Sequence, residues 1–218
     1  MKLTESYKDF DWQIIKDYCF NLESQDTSKL KDLDDVYDFL NDYFEPLQVE
    51  FQWYREYSDE MWKDNYVQNG TTYSNGIITV YCDLQNILDA LTGTAYRKEC
   101  ITSIAAVVVH ELMHRYQVTQ YQDRKWDKVK TEDDYLAHKD EISAHIVGGV
   151  TELLGMGYTK EQLKKALTTM DADLDKARSP FRESNSLYVY WDRFGSFDPQ
   201  DKVWLRFKKE LANFILGL

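Results

Sequence analysis

The sequence is poor in proline, glycine and cysteine. These scarcities exclude a chain with long flexible linkers and a small protein held together by disulfides. Three Pro and nine Gly among 218 residues leave no room for long flexible linkers. The three cysteines, Cys19, Cys82 and Cys100, are widely spaced, odd in number and without a CxxC pair. They therefore cannot form a disulfide framework, and we expect Cys82 and Cys100 to be buried core thiols.

The sequence also lacks the signals for export and for membrane insertion. Its first residues contain no apolar stretch of the kind found in a secretory signal. The longest strongly apolar run, 104–109, is far too short to cross a bilayer. We therefore expect a soluble cytoplasmic protein without a membrane partner; a phage-encoded protein and release by a non-classical route are left open.

Positive charge is scarce as well. The 26 Lys and Arg face 38 Asp and Glu, which gives a formal net charge of -12. Such a surface repels a phosphate backbone, so we do not expect a nucleic-acid partner.

Apolar and aromatic residues, by contrast, are plentiful. They make up 43% and 15% of the chain, enough for an ordered core. We expect a single domain over 1–218 with its core at about 28–158 and C-terminal helices (159–218) packing on it. Nothing in the sequence specifies the oligomeric state.

Apolar periodicity predicts a helix-rich α+β fold with a small, mostly antiparallel sheet packed on the helix at 98–121. The sheet lies within 47–82, where strands at 49–55 and 77–81 are separated by the turn-forming pair Asn75-Gly76. Four other helices are predicted. The first covers 30–44 and is capped by Thr27 or Ser28, and the second starts at 131 or 140 and ends at 154. The third covers 159–177 and begins with a capping box at Thr159, and the fourth starts at Asp198-Pro199. Gly148-Gly149 inside a helix indicates close approach of a neighbouring helix.

The chemistry is concentrated in the segment His110-Glu111-Leu112-Met113-His114. Two histidines four residues apart share one face of a helix, so both imidazoles can bind one zinc ion. Glu111, next to His110, can reach a zinc-bound water without binding the metal. Such a carboxylate takes the proton of the water as it attacks a carbonyl group.

The setting of this motif separates it from a chance match. The preceding residues, 101–109, are apolar on every side of the helix, which predicts a buried helix. Three ionisable side chains on a buried helix are costly unless they are paired or bind a metal. We therefore predict a zinc site with His110 and His114 as ligands.

A zinc site of this kind needs a third protein ligand, with the fourth position left for water. Downstream, Glu141 and His145 are four residues apart and share a helix face. Glu141 completes a His2Glu set in the preferred arrangement, and His145 then supports a ligand or the oxyanion of the reaction. Ligation by His145 or His138 instead of Glu141 stays open, and so do manganese or cobalt in place of zinc.

The HExxH motif with its apolar lead-in resembles the zincin metallopeptidases. The helix carrying Glu141 is similar to the gluzincin branch, in which a glutamate one helix later is the third ligand. His145 departs from thermolysin-like gluzincins, which have an aspartate there, and Gln117 and Gln120 replace the glycine and third histidine of the metzincins. The stretch 140–145 is also similar to small zincin-like proteins of bacteria and phages.

The resemblance implies further roles for residues around the motif. In zincins, the edge strand before the active-site helix pairs with an extended peptide substrate, which assigns Ile78, Thr79 and Val80 to substrate binding. A Tyr or His commonly holds the oxyanion, and Tyr135, His145 and Tyr190 are the candidates here.

Taken together, the motif and the resemblance predict a zinc-dependent metallopeptidase that hydrolyses peptide bonds in a protein or peptide substrate, with Glu111 as the base. The alternative is a catalytically silent zincin-fold module that binds a partner or has a structural role. A DNA-associated protease of the SprT-like kind is disfavoured by the acidic composition and by the absence of a zinc-ribbon cysteine set.

Overall fold

The computed structural model describes residues 15–53, 67–72, 75–93, 95–120, 130–170 and 179–218. These residues form a helix-rich α+β fold with one small sheet, as predicted. The strands are β1 (Val49–Trp53), β2 (Val67–Thr72) and β3 (Ile78–Cys82). The helices are α1 (Leu33–Phe44), α2 (Leu84–Thr92), α3 (Arg97–Gln120), α4 (Glu132–Leu136), α5 (Lys139–Met156), α6 (Lys160–Leu167), α7 (Asn185–Tyr190) and α8 (Lys202–Gly217).

The described residues divide into two compact units, one within Asp11–Arg115 and one within Tyr116–Leu218. The boundary between them falls inside α3, which is continuous through it. The single domain expected over 1–218 stays a prediction.

The sheet belongs to the unit within Asp11–Arg115, and its strand order is β1-β3-β2. β3 pairs in parallel with β1, where Val49 lies opposite Ile78, and antiparallel with β2, where Thr72 also lies opposite Ile78. The sheet is therefore mixed, and the expected antiparallel pairing of the strands at 49–55 and 77–81 is wrong. The sequence analysis missed β2, the strand that pairs antiparallel with β3, because its polar residues show no apolar alternation.

This topology also corrects the strand assigned to substrate binding. β3 is the central strand, so Ile78, Thr79 and Val80 lie between β1 and β2. Their main-chain groups are used within the sheet and are not available to an extended peptide. The prediction that these three residues bind substrate as an edge strand is therefore wrong.

Turns and helix caps near the sheet follow from local side chains. The predicted turn at Asn75-Gly76 is present, with Gly76 at a φ of 86°, a conformation that glycine adopts without strain. The predicted first cap is wrong, because α1 begins after Asp32, whose carboxylate accepts from the backbone N–H of Asp35. Thr27 instead donates its hydroxyl to the carbonyl of Leu91 at the end of α2.

The unit within Tyr116–Leu218 is built from helices. The predicted capping box at Thr159 is confirmed, with reciprocal hydrogen bonds between Thr159 and Gln162. α8 starts later than expected, capped by Asp201 rather than by Asp198. The predicted helix at 159–177 is described as far as residue 170, and its last part lies outside the described residues.

The predicted close approach at Gly148-Gly149 is confirmed at Gly149. A Cβ atom built on Gly149 would lie 2.5 Å from Cγ of Leu187 and 2.7 Å from Oγ of Ser184. Both distances are too short for real Cβ contacts, so only glycine allows α7 and the residue that caps it to pack this closely on α5.

Among the helices of the described ranges, none has the length and apolar character needed to span a membrane.

Candidate metal centre

The motif residues lie on α3, and the burial expected for the preceding turns is confirmed. Of residues 101–109, only Ser103 and Val107 are half-buried, and the other seven are buried. The helix is 24 residues long. It therefore carries His110, Glu111 and His114 out of an apolar core as part of one rigid element.

The two histidines converge on one point. Nε2 of His110 lies 3.0 Å from Nε2 of His114, and the two rings are 4.7 Å apart at an interplanar angle of 74°. Two nitrogens at zinc–nitrogen distances of about 2.0–2.1 Å in a tetrahedral site are separated by about 3.3 Å. The separation of the imidazole nitrogens thus fits a shared metal ion.

Glu111 completes a group that could hold a metal ion. The nitrogen atoms of His110 and His114 and a carboxylate oxygen of Glu111 all lie within 4.8 Å of one another. The Glu111 side chain is buried, with 5% of its surface exposed. The predicted cluster of two imidazoles and one carboxylate is therefore present.

Strand β2 lies against the side chain of Glu111. The hydroxyl of Thr72 donates a hydrogen bond of 2.8 Å to Oε2 of Glu111 and lies 3.0 Å from its main-chain carbonyl oxygen. A Cβ atom on Gly70 would lie 2.4 Å from Cγ of Glu111 and 3.0 Å from Oε1. The absence of a side chain at Gly70 therefore makes room for the carboxylate.

Arg115 fixes the sheet to the motif helix. Its Nη1 donates to the carbonyls of Leu47, 2.5 Å away, and Gly76, 3.4 Å away, which precede β1 and β3. Burial lowers the pKa of Arg115, as expected for a guanidinium partly removed from water.

Helix α5 in the other unit carries the predicted downstream residues. Glu141 and His145 lie one turn apart, and Nε2 of His145 is 4.0 Å from Oε2 of Glu141. Glu141 is almost fully buried, and it lies in the first turn of the helix. Each unit thus brings its own candidates together, His110, Glu111 and His114 in one and Glu141 with His145 in the other.

The start of α5 is held by two polar contacts. Gln117 donates from its side-chain amide to the carbonyl of Asp140, the residue before Glu141. Nδ1 of His138 accepts from the backbone N–H of Asp140 and caps the helix. His138 thus stands at a helix start, where its Nδ1 serves as a cap acceptor.

The oxyanion candidates differ in their surroundings. Tyr190 is fully buried, and its hydroxyl donates to the carbonyl of Leu136, 3.0 Å away. Its ring packs edge-on against His145 with centroids 5.4 Å apart. Tyr135 lies on α4 and is 38% exposed.

The sequence analysis missed three residues at this centre. Thr72 and Gly70 lie beside Glu111 on a strand that was not predicted, and no local pattern signals a contact such as that of Thr72 with Glu111, which are 39 residues apart. Gln117 was noted only as a departure from the metzincin pattern. Its position, one turn after His114 and on the same helix face, is the signal that could have identified it.

Comparison with known proteins adds no family assignment, since no family model matches the sequence and no curated protein or solved structure is significantly similar to it. The likeness to zincins therefore depends on the HExxH motif and its surroundings alone.

Proposed function

We propose that the protein is a zinc-dependent metallopeptidase. The observation that carries this proposal is the convergence of the His110 and His114 nitrogens at 3.0 Å beside the buried carboxylate of Glu111. Two neutral nitrogens at this separation repel each other unless they share a proton or a cation. A cation is the better partner here, because the same helix face also holds a carboxylate.

Glu141 is the proposed third ligand. It is buried in the first turn of α5, and the hydrogen bond from Gln117 to Asp140 ties that turn to the end of α3. Gln117 follows His114 by three residues, which is one turn along the same helix face. This chain of contacts supports a His2Glu set, a ligand set that is common for catalytic zinc.

Zinc in such a set polarises the carbonyl group of the substrate and lowers the pKa of a bound water toward neutrality. Glu111 has the role of general base, taking a proton from the attacking water and returning it to the amide nitrogen that leaves. His145 is proposed to stabilise the negative charge on the carbonyl oxygen, with its ring held by Tyr190. Tyr135, exposed on α4, is the other candidate for this role.

We propose that the substrate pairs with a strand other than β3, which is the central strand of the sheet. The outer edge of β1 is occupied, because the Asn41 side chain accepts from the N–H of Phe51 and donates to its carbonyl. Among the described residues, β2 pairs only with β3. β2 also contacts Glu111, so we assign pairing with an extended peptide to β2.

The test is cleavage of a mixed peptide library by the zinc-loaded protein, read by mass spectrometry. Wild type is expected to cleave, and Glu111→Gln to bind zinc normally while losing turnover. Retained turnover in Glu111→Gln contradicts the assigned base. Full zinc occupancy without cleavage of any peptide contradicts the peptidase and favours the silent zincin-fold module.

A further inference from the structure

Two residues of strand β2, Gly70 and Thr72, lie beside the side chain of Glu111. Thr72 donates to Oε2, and Gly70 lies against Cγ and Oε1. Gly70 and Thr72 are two residues apart, so they project from the same face of the strand. Their cross-strand partners are Val80 and Ile78 of the central strand, which are buried and anchor this face.

We propose that Thr72 is the positioning residue for the Glu111 carboxylate, an inference that rests on the proposed peptidase function. The hydrogen bond from the hydroxyl of Thr72 fixes Oε2 and thereby the orientation of the carboxylate. Gly70 keeps space beside Oε1, because any larger residue would occupy it.

The physical reason for such a device is the freedom of a glutamate side chain. A free glutamate samples many rotamers, and a general base works only when its oxygen lies within hydrogen-bond reach of the proton. Thr72 is half-buried and bonds to the main-chain carbonyl of Glu111 as well as to the carboxylate. The Thr72 hydroxyl therefore contacts both the backbone and the side chain of Glu111, and it fixes the position of one relative to the other.

The matched variants differ by one group. Thr72→Val removes the hydroxyl and keeps the shape, whereas Thr72→Ser keeps the hydroxyl. Thr92→Val is the control, because Thr92 is exposed at the end of α2 and its hydroxyl bonds within that helix, to the carbonyl of Leu88. All variants are purified in the same way, and their activity is measured with the same excess of added zinc.

The kinetic test uses a fluorogenic peptide chosen from the cleaved library members. Thr72→Val is expected to lower kcat roughly 10- to 100-fold, the cost of a misplaced catalytic group. KM and zinc content should stay within about twofold of wild type, because ligand and substrate contacts are retained. Thr72→Ser should restore most of kcat, and Thr92→Val should match wild type. A Thr72→Val protein with unchanged kcat overturns the inference.

A stability test separates this inference from the proposed function. In a double-mutant cycle, Thr72→Val should lower Tm more in the wild-type background than in the Glu111→Ala background, where only the contact with the main-chain carbonyl remains. Thr92→Val should shift Tm equally in both. An equal loss of Tm from Thr72→Val in both backgrounds overturns the inference. If wild type cleaves no peptide but the coupling is present, the peptidase proposal fails while the positioning of Glu111 by Thr72 stands.

Discussion

The side-chain amide of Gln117 donates a hydrogen bond of 3.1 Å to the main-chain carbonyl of Asp140, and both residues are buried. This bond joins the last turns of α3, the helix that carries His110 and His114, to the first turn of α5, which carries Glu141. The sequence spacing of the motif and of Glu141 does not reveal this link. The bond provides a way to test the proposed third ligand, Glu141, without changing any proposed ligand.

Replacement of Gln117 by Met should weaken zinc binding, because the turn that carries Glu141 is no longer held. The expected loss is about 10- to 100-fold in affinity, typical of residues that orient metal ligands. Competition with a chelating dye measures it. Thr119→Ala is the control, since the hydroxyl of Thr119 is exposed and bonds only within its own helix, to the carbonyl of Tyr116. Equal affinities in Gln117→Met and wild type would argue against the assigned role of this contact.

Gly149 is predicted to be irreplaceable for stability. Gly149→Ala places a methyl group against Leu187 and Ser184, and overpacking of this kind costs about 1–3 kcal/mol. For a chain of this size, each kcal/mol lowers Tm by about 2–4 °C. Thermal unfolding followed by circular dichroism measures the shift.

The matched control for this variant is Gly217→Ala. A Cβ atom on Gly217 meets nothing within 4 Å, so the same chemical change should leave Tm unchanged or slightly raised. If Gly149→Ala is as stable as Gly217→Ala, the close packing of α5 against α7 is wrong.

The pair Gly148-Gly149 shows which features of the fold could be predicted from the sequence. Gly148-Gly149 signalled close helix packing because glycine inside a helix costs stability and needs a reason. The apolar residues before His110 likewise predicted the buried helix, since their pattern repeats along the segment itself. Local patterns of this kind were sufficient for α3 and for the capping box at Thr159.

Long-range pairings could not be read in the same way. β2 is a strand because it pairs with β3, although its own residues are mainly polar and show no alternation. Without β2, the pairing of the two apolar strands was predicted with the wrong direction, and the central strand was taken for an edge. The contact between Thr72 and Glu111 depends on the same missing strand.

The three cysteines should be unreactive in the folded protein. Cys19, Cys82 and Cys100 are free and buried, and burial raises the pKa of Cys19 and Cys82 to about 12. Burial raises the pKa of Cys100 as well, with a smaller upward contribution from Cys82 beside it. At pH 8, a thiol of pKa 12 is ionised in about one molecule in ten thousand, so reaction with a disulfide reagent is slow.

The measurement is titration with Ellman's reagent at pH 8, before and after unfolding in guanidinium chloride. Three thiols should react promptly in the unfolded chain and almost none in the native protein. A native thiol that reacts as fast as an unfolded one would show that the corresponding part of the core is open.

Glu210 should make the protein less stable as the pH rises. It is a buried residue of α8, its Oε2 has no hydrogen-bond partner among the described residues, and burial raises its pKa despite opposing contributions from Lys209 and Arg206. Because the pKa of Glu210 is higher in the folded than in the unfolded protein, the contribution of its protonated carboxyl group to the free energy of unfolding is complete in acid. This contribution is lost as the pH rises through the folded-state pKa.

Glu210→Gln removes the charge and should therefore raise Tm at pH 7 by about 2–4 °C, corresponding to roughly 1 kcal/mol. The difference from wild type should shrink as the pH is lowered toward 4, where Glu210 is itself protonated. A pH-independent difference in Tm between the two proteins would contradict this account of Glu210.

The most direct test of the central claim is the amount of zinc bound per chain, measured by inductively coupled plasma mass spectrometry on purified protein after dialysis. The comparison includes wild type, the double variant His110→Ala/His114→Ala, and Thr119→Ala, which changes neither a proposed ligand nor a contact of α5. We predict one zinc ion per chain in wild type and in Thr119→Ala, and none in the double variant. Wild-type protein without stoichiometric metal, or equal zinc in the double variant, would contradict a metal centre at His110 and His114.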